Sequence, residues 1–318
     1  MSRISIAVCC LAGLVLLPRA AVADEDSLTG ALTQPPGQRH DVGGFQLHIH
    51  CEGKGTPVVV LDSGVGGFSL EWTAVQDALS RYTKVCAYDR AGYGWSEMGP
   101  LPRTISHVGR ELHALLHAAD LAPPYILVGH SFGGYSVQYF ARTWKNEVAG
   151  MVLVEASHPE QNERLPRGKH EDRPSIGPGG RSTYINTQVR LHPNFPPEYE
   201  SLALKLLQNR MTALTIREEL LNYPLSARQI LFAGELPRVP LVVLTRGQRV
   251  WPHTELGDAL EATWMQLQDE LAHLVPGTVH LIAEDSGHSI HMDEPGLVVT
   301  AIQTMLNRMD RDPAVAGR

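Results

Sequence analysis

Cysteine is scarce. The 318-residue chain has four, and Cys9 and Cys10 fall within an apolar segment at its start. A small, disulfide-dense scaffold is therefore excluded. No internal repeat and no low-complexity tract occurs, which excludes solenoid, collagen-like, coiled-coil and disordered architectures. Positive charge is not in excess, with 27 Lys and Arg against 34 Asp and Glu. Nucleic acid and anionic membrane surfaces are thus poor partners. No zinc-type ligand cluster, phosphate loop or dinucleotide fingerprint stands out. The glycine-rich stretches do not start a helix after a strand with an acidic residue following. No cofactor and no metal are expected.

The first residues carry a targeting pattern. Arg3 is followed by an apolar run, Ile4 to Leu17, and then by Ala21-Val22-Ala23 before a charged segment. This is the layout of a secretory signal peptide, with cleavage expected after Ala23. The run falls short of the ~20 residues a membrane span needs, so no stable membrane anchor is expected after cleavage. Neither cysteine in it closes a Leu-Ala-Gly-Cys sequence, which argues against a lipoprotein. Cleavage removes Arg3 and Arg19 and no acid, taking the formal charge from −7 to −9. The expected destination is the periplasm or the medium. Cys51 and Cys86 remain, an even pair in an oxidising compartment, and either a disulfide or two buried thiols fits that count.

Apolar runs then alternate with helical spacing. "PVVVLD", "KVCAYD", "YILV" and "GMVLVE" are continuous apolar runs of the kind found in strands buried on both faces. "FQLHIHCEG" alternates and reads as a strand with one wet face. Helical spacing is expected over Val75–Leu79, from about Ile105 to Ala119, along "GGYSVQYFARTW", and from about Leu260 to Leu274. A strand "VHLIAE" and a closing helix started by Pro295 complete the chain. The fold class is therefore α/β: a mostly parallel sheet with helices on both faces. The rhythm breaks after Ser157. Residues 158–235 read as an inserted cap, rich in Pro, Arg and Gly at first and helical from about Pro197 to Leu231. The domain division is thus a signal peptide (1–23), a core in two parts (24–157 and 236–318) and the cap between them. Leu202, Leu206, Leu207 and Met211 form an apolar stripe on the cap, either packing on the core or walling an acyl pocket.

The stretch "LVGHSFGG" carries the chemistry. Gly129-His130-Ser131-Phe132-Gly133 has the spacing Gly-x-Ser-x-Gly, a weak signal alone. Between a buried strand and a helix it becomes a nucleophile elbow, with Ser131 lifted clear of the sheet above a helix N-terminus. A serine hydroxyl needs a base, and the base of such a site comes late in the chain. His288, a few residues past the last strand in "EDSGHSIHMDEP", is the candidate; His291 reads as a surface or packing residue. The acid must steady His288. Glu155 closes the strand "GMVLVE", where a carboxylate needs a partner. Asp258 is the alternative acid, and Asp285 a third choice. An oxyanion hole needs two backbone N–H donors. Phe132, directly after the nucleophile, and Val65, in the loop "SGVGG", are the candidates.

These pieces, "LDSGVGGFSLEW", "VCAYDRAGYGWSE", "LVGHSFGG", "GMVLVEASH" and "SGHSIHMDEP", together resemble the serine-hydrolase branch of the α/β-hydrolase fold superfamily. The resemblance covers nearly all of the chain outside the signal segment and the cap. It implies an eight-stranded sheet with its second strand antiparallel and a helical cap between strands six and seven. It carries the roles above to Ser131, His288, Phe132 and Val65. Many relatives place the acid after strand seven, where "RGQRVWPHTELGD" has no carboxylate before Glu255; others place it after strand six, at Glu155. In this topology strand two lies beside strand four, so the resemblance also implies a Cys51–Cys86 disulfide. The expected reaction is cleavage of a small-molecule carboxylic ester through an acyl-enzyme. Acyl transfer and amide, lactone or perhydrolase chemistry share the triad, and a non-catalytic binding protein on the same fold is the reading of a different class.

Overall fold

The computed structural model describes residues 35–167 and 191–311. The expected signal peptide and residues 168–190 of the cap lie outside them. In chain order the elements are β1 (Gln38–Asp41), β2 (Gln46–Glu52), β3 (Val58–Asp62), α1 (Thr73–Leu79), β4 (Val85–Tyr88), α2 (Ile105–Ala118), β5 (Tyr125–His130), α3 (Gly133–Thr143) and β6 (Val148–Val154). The cap contributes α4 (Gln161–Arg164), α5 (Glu200–Leu207), α6 (Arg210–Leu221) and α7 (Tyr223–Phe232). Then follow β7 (Leu241–Arg246), α8 (Glu255–Ala272), β8 (Val279–Ala283), α9 (Ile290–Asp293) and α10 (Pro295–Arg311).

The strands form one eight-stranded sheet in the order β1-β2-β4-β3-β5-β6-β7-β8. β2 runs antiparallel to both its neighbours, and from β4 to β8 every pairing is parallel. The central strands are buried on both faces, as apolar runs that turn polar only towards their carboxyl ends, at Asp62, His130, Thr245 and Arg246. Alternate residues of β3 feed two cores. Val58 and Val60 join Leu112, Leu116, Val137 and Phe140 of α2 and α3. Val59 and Leu61 join Val75 of α1 and Val298, Ile302 and Met305 of α10. The strands' carboxyl ends thus open at one edge, where β5, β6 and β8 deliver the residues singled out above.

Two details differ from the periodicity. α8 starts at Glu255, five residues earlier than the apolar spacing suggested, because Thr254 caps it by accepting from the Gly257 N–H. The helical stretch of the cap is three helices: Asn209 caps α6 by accepting from the Met211 N–H, and Pro224 lies in the first turn of α7. Leu202, Leu206 and Leu207 pack with Phe68, Leu70 and Tyr93 of the core, so that part of the stripe is a packing surface. Among the described residues no helix is long and apolar enough to cross a membrane.

Cys51 on β2 faces Cys86 on β4 in register, and the two are bonded. The link closes a separation of 35 residues and ties the edge hairpin to the parallel sheet. Cys51→Ser combined with Cys86→Ser is expected to cost about 2–4 kcal/mol of stability. Urea unfolding under non-reducing conditions measures this, and an unchanged midpoint would contradict it.

Candidate active site

Ser131 occupies the turn between β5 and α3 with φ 51°, a left-handed conformation that is costly for a side-chain-bearing residue. The turn is over-determined by its neighbours. The Ser131 N–H donates to the Val154 carbonyl at 3.2 Å, and the Ser131 carbonyl accepts from Gly134 at 2.9 Å and Ser157 at 3.0 Å. A Cβ at Gly129 would overlap the Gly133 backbone, and one at Gly133 the Asp62 carbonyl. The two motif glycines therefore let β3, β5 and α3 approach closely. Among the described residues the Phe132 N–H has no hydrogen-bond partner, and neither has the Val65 N–H.

The loop after β3 lies against the elbow, since a Cβ on Gly64 would stand 3.1 Å from the Ser131 Cβ. Arg90, buried at the end of β4, holds that loop from behind. Its Nη2 donates to the Gly64 carbonyl at 2.7 Å, and its Nη1 makes a short hydrogen bond to the Ser63 carbonyl. In a trans peptide the N–H points opposite to the C=O. With both carbonyls turned toward Arg90, the Gly64 and Val65 N–H groups face the other way. Arg90 is itself held by Asp62 (2.7 Å) and by Glu219 of α6 (3.0 and 3.2 Å), which also accepts from the Tyr93 hydroxyl at 2.7 Å. Burial works against its charge, but Glu219 and Asp62 outweigh that and hold the guanidinium well above its ordinary range. α7 adds Tyr223, whose ring packs 5.4 Å from that of Phe132. Glu219→Ala leaves the buried Arg90 short of a counterion, and a loss of about 3–5 kcal/mol is expected. Chemical denaturation reads it, and an unperturbed midpoint would remove the clamp from consideration.

His288 lies on the loop after β8. That loop is pinned by Gly287 N–H to Asp293 (3.0 Å) and by the Ser286 hydroxyl to Glu294 (2.7 Å). The His288 carbonyl accepts from His130 Nε2 at 2.9 Å, which ties the loop to the residue before Ser131. A carbonyl only accepts, so His130 carries its proton on Nε2. Burial first, then His291 and His288, push His130 well below the ordinary histidine range, so it stays neutral. His291 is buried and packs 4.4 Å from the Trp72 ring.

The His288 Nδ1 lies 3.9 Å from Oε1 of Glu155. Glu155 is fully buried at the end of β6, with φ 45°. Its Oε1 accepts from Trp264 Nε1 at 2.6 Å, and its Oε2 from the Arg246 N–H at 2.9 Å. The Arg246 guanidinium contributes an ion pair at 3.1 Å, without hydrogen-bond alignment. Arg246 is shared with Glu261 at 2.5 Å and lies over the Trp251 ring. Glu155 is therefore held by α8 and β7 with one oxygen toward His288. Asp258, at the start of α8, is 63% exposed on its side chain and pairs with Arg249 at 2.5 Å. Asp285 is also exposed.

The structure thus brings Ser131, Glu155 and His288 to one edge with the Phe132 and Val65 amides, and leaves Asp258 on the surface. Arg90, Glu219, Arg246, Trp264 and His130 were not singled out from the sequence. Arg90 had a visible signal, the second of two consecutive charges, Asp89 and Arg90, after an apolar strand. Glu219 had none, being one acid among several on a cap helix.

The sequence model of the "Alpha/beta hydrolase family" matches residues 58–301. Protein YqjL of Bacillus subtilis (strain 168) is 27% identical over 264 residues, covering 83% of this chain and 89% of that protein. Among solved structures, a thermophilic esterase from Thermogutta terrifontis aligns over 86% of this chain and 99% of its own, with a TM-score of 0.55 and 21% identity. The epoxide hydrolase CorEH aligns over 86% and 98%, with a TM-score of 0.64 and 16% identity. At such identities these two likenesses concern the fold. The strand order, the elbow and the match over residues 58–301 lead to one assignment: this chain belongs to the alpha/beta hydrolase family.

Proposed function

We propose that this protein is a serine hydrolase that cleaves carboxylic esters of small molecules through an acyl-enzyme. The observation that carries the reading is Ser131 held at φ 51° beside a Phe132 amide with no hydrogen-bond partner among the described residues, on a turn tied to the His288 loop. The Ser131 hydroxyl attacks the ester carbonyl while His288 takes its proton. The tetrahedral oxyanion is met by the Phe132 and Val65 N–H groups. His288 then protonates the leaving alcohol. In the second half, water gives a proton to His288 and attacks the acyl-enzyme; as the bond to Ser131 Oγ breaks, His288 returns the proton to that oxygen, which releases the acid and restores Ser131.

Glu155 orients His288 and stabilises the imidazolium as it forms. The 3.9 Å separation is long for a hydrogen bond, and such contacts often tighten only when substrate is bound. The elbow residue is serine, so a route through an alkyl-enzyme ester on a carboxylate nucleophile is not the one proposed. Export is proposed as well. It rests on the N-terminal signal pattern and is in keeping with the Cys51–Cys86 disulfide, which suits an oxidising compartment.

The experiment is hydrolysis of p-nitrophenyl acetate and butyrate, run beside labelling with a fluorophosphonate probe. Turnover of the esters and stoichiometric labelling at Ser131 are expected. A protein that neither turns over nor labels would be a binding protein on a hydrolase fold.

A further inference from the structure

Three donor groups converge at the sheet edge opposite Ser131. His113 and His117 stand one turn apart in the last two turns of α2. Glu147 immediately precedes β6, whereas Glu155 follows it. At ~3.3 Å per strand residue the two glutamates lie about 25 Å apart along β6. The cluster is therefore separate from the residues around Ser131.

The distances are those of a metal site. His113 Nε2 is 3.1 Å from His117 Nε2 and 3.1 Å from Glu147 Oε1, and His117 Nε2 is 3.7 Å from Glu147 Oε2. Ligands at tetrahedral angles, each ~2.0–2.1 Å from a zinc ion, lie about 3.3 Å from one another. Hydrogen bonding alone serves the group poorly. A proton on His113 Nε2 is shared between two acceptors; without that proton, its lone pair faces the Glu147 carboxylate. Protons on both Nε2 atoms would point at each other. Glu147 Oε2 is buried and has no hydrogen-bond partner among the described residues. The His113 ring is fixed by stacking on Trp144 at 4.2 Å and 9°. The last turn of α2 adds carbonyl dipoles that favour a cation.

A second group of His158, Glu160 and Glu270 makes an instructive contrast. There His158 Nδ1 accepts from the Glu160 N–H at 3.1 Å, so its proton sits on Nε2, the atom facing Glu270. Arg164 already donates to both Glu270 oxygens, at 2.5 and 2.8 Å. No lone pair on Nε2 is left for an ion in the neutral ring.

We propose that His113, His117 and Glu147 bind a divalent first-row transition metal, zinc being the reference ion, with the fourth position open to water. The ion would staple the end of α2 to the turn before β6. Its role is structural, and it takes no part in ester cleavage. Copper(II) and nickel(II) should bind the same imidazole-rich set.

The test is calorimetric titration of zinc into tag-free, chelator-stripped protein, beside His117→Ala and Glu147→Gln. His117 is half-exposed, so its truncation leaves the core intact. One saturable ion per chain is expected. Each variant should weaken binding at least as much as the about 10–100-fold typical of losing an outer-sphere partner. Saturating zinc should raise the melting temperature of the wild type and not of either variant. Absence of saturable binding by the wild type would overturn the proposal. So would binding of undiminished affinity in both variants, which would place the ion elsewhere. The readout does not depend on ester hydrolysis, so its failure is distinct from failure of the hydrolase reading.

Discussion

Ser131→Ala is expected to lower turnover of p-nitrophenyl butyrate by about 10⁴-fold or more, with KM little changed, because it removes the bond-forming atom itself. Residual activity would come from the oxyanion donors and binding alone, which still act on a water nucleophile. The fold should survive. The hydroxyl takes part in none of the hydrogen bonds that shape the elbow; those run through the backbone of Ser131 to Val154, Gly134 and Ser157. Alanine pays a similar cost at φ 51°, so the melting temperature should move little. Steady-state kinetics and circular dichroism on the same preparation make the check. Turnover within tenfold of the wild type would eliminate Ser131 as nucleophile.

The second large effect concerns Glu155. Glu155→Gln should reduce turnover by about 10²–10⁴-fold, the upper figure being that of a triad whose histidine is left in the wrong tautomer. It should also destabilise. A Gln side chain offers one acceptor oxygen, whereas Trp264 Nε1 and the Arg246 N–H each donate to a different oxygen of Glu155. One donor would face the amide NH₂ and lose its partner, at a cost of about 1–3 kcal/mol. Arg246 keeps Glu261 as a counterion, so the guanidinium is not stranded. Asp258→Asn is the matched control. Asp258 pairs on the surface with Arg249, and a change within about 0.5 kcal/mol is expected, with turnover close to wild type. Kinetics of the two variants side by side decide the acid. If Asp258→Asn is the damaging change, Glu155 is a structural anchor for Arg246 and Trp264 only.

Much of this is legible in the sequence. β3 to β7 are apolar over most of their length, which is how strands buried on both faces of a parallel sheet read. The elbow was readable because Gly-x-Ser-x-Gly sits where a strand run gives way to helical spacing. The start of α8 was less readable, since its first turn is polar and its cap is a single threonine. For the acid the sequence favours Glu155, with Asp258 as the alternative and Asp285 third. Glu155 follows β6 directly and Asp258 lies in the first turn of α8, and only the packing of β6 against β7 and α8 buries one and exposes the other.

The sequence by itself determined the alternation of strand and helix, the elbow at Ser131 and the likeness to one superfamily, because these depend on residues close along the chain. The tertiary structure decided what depends on distant residues. The Arg90–Glu219 clamp behind the Val65 loop joins positions 129 residues apart. The His113–His117 spacing was in plain view, and no metal was expected from it. Its third donor, Glu147, arrives from 34 residues further on, through the fold of α3 back along the sheet. Short-range pattern is written in the periodicity of side chains. Convergence of charges from separate elements is written only in how those elements pack.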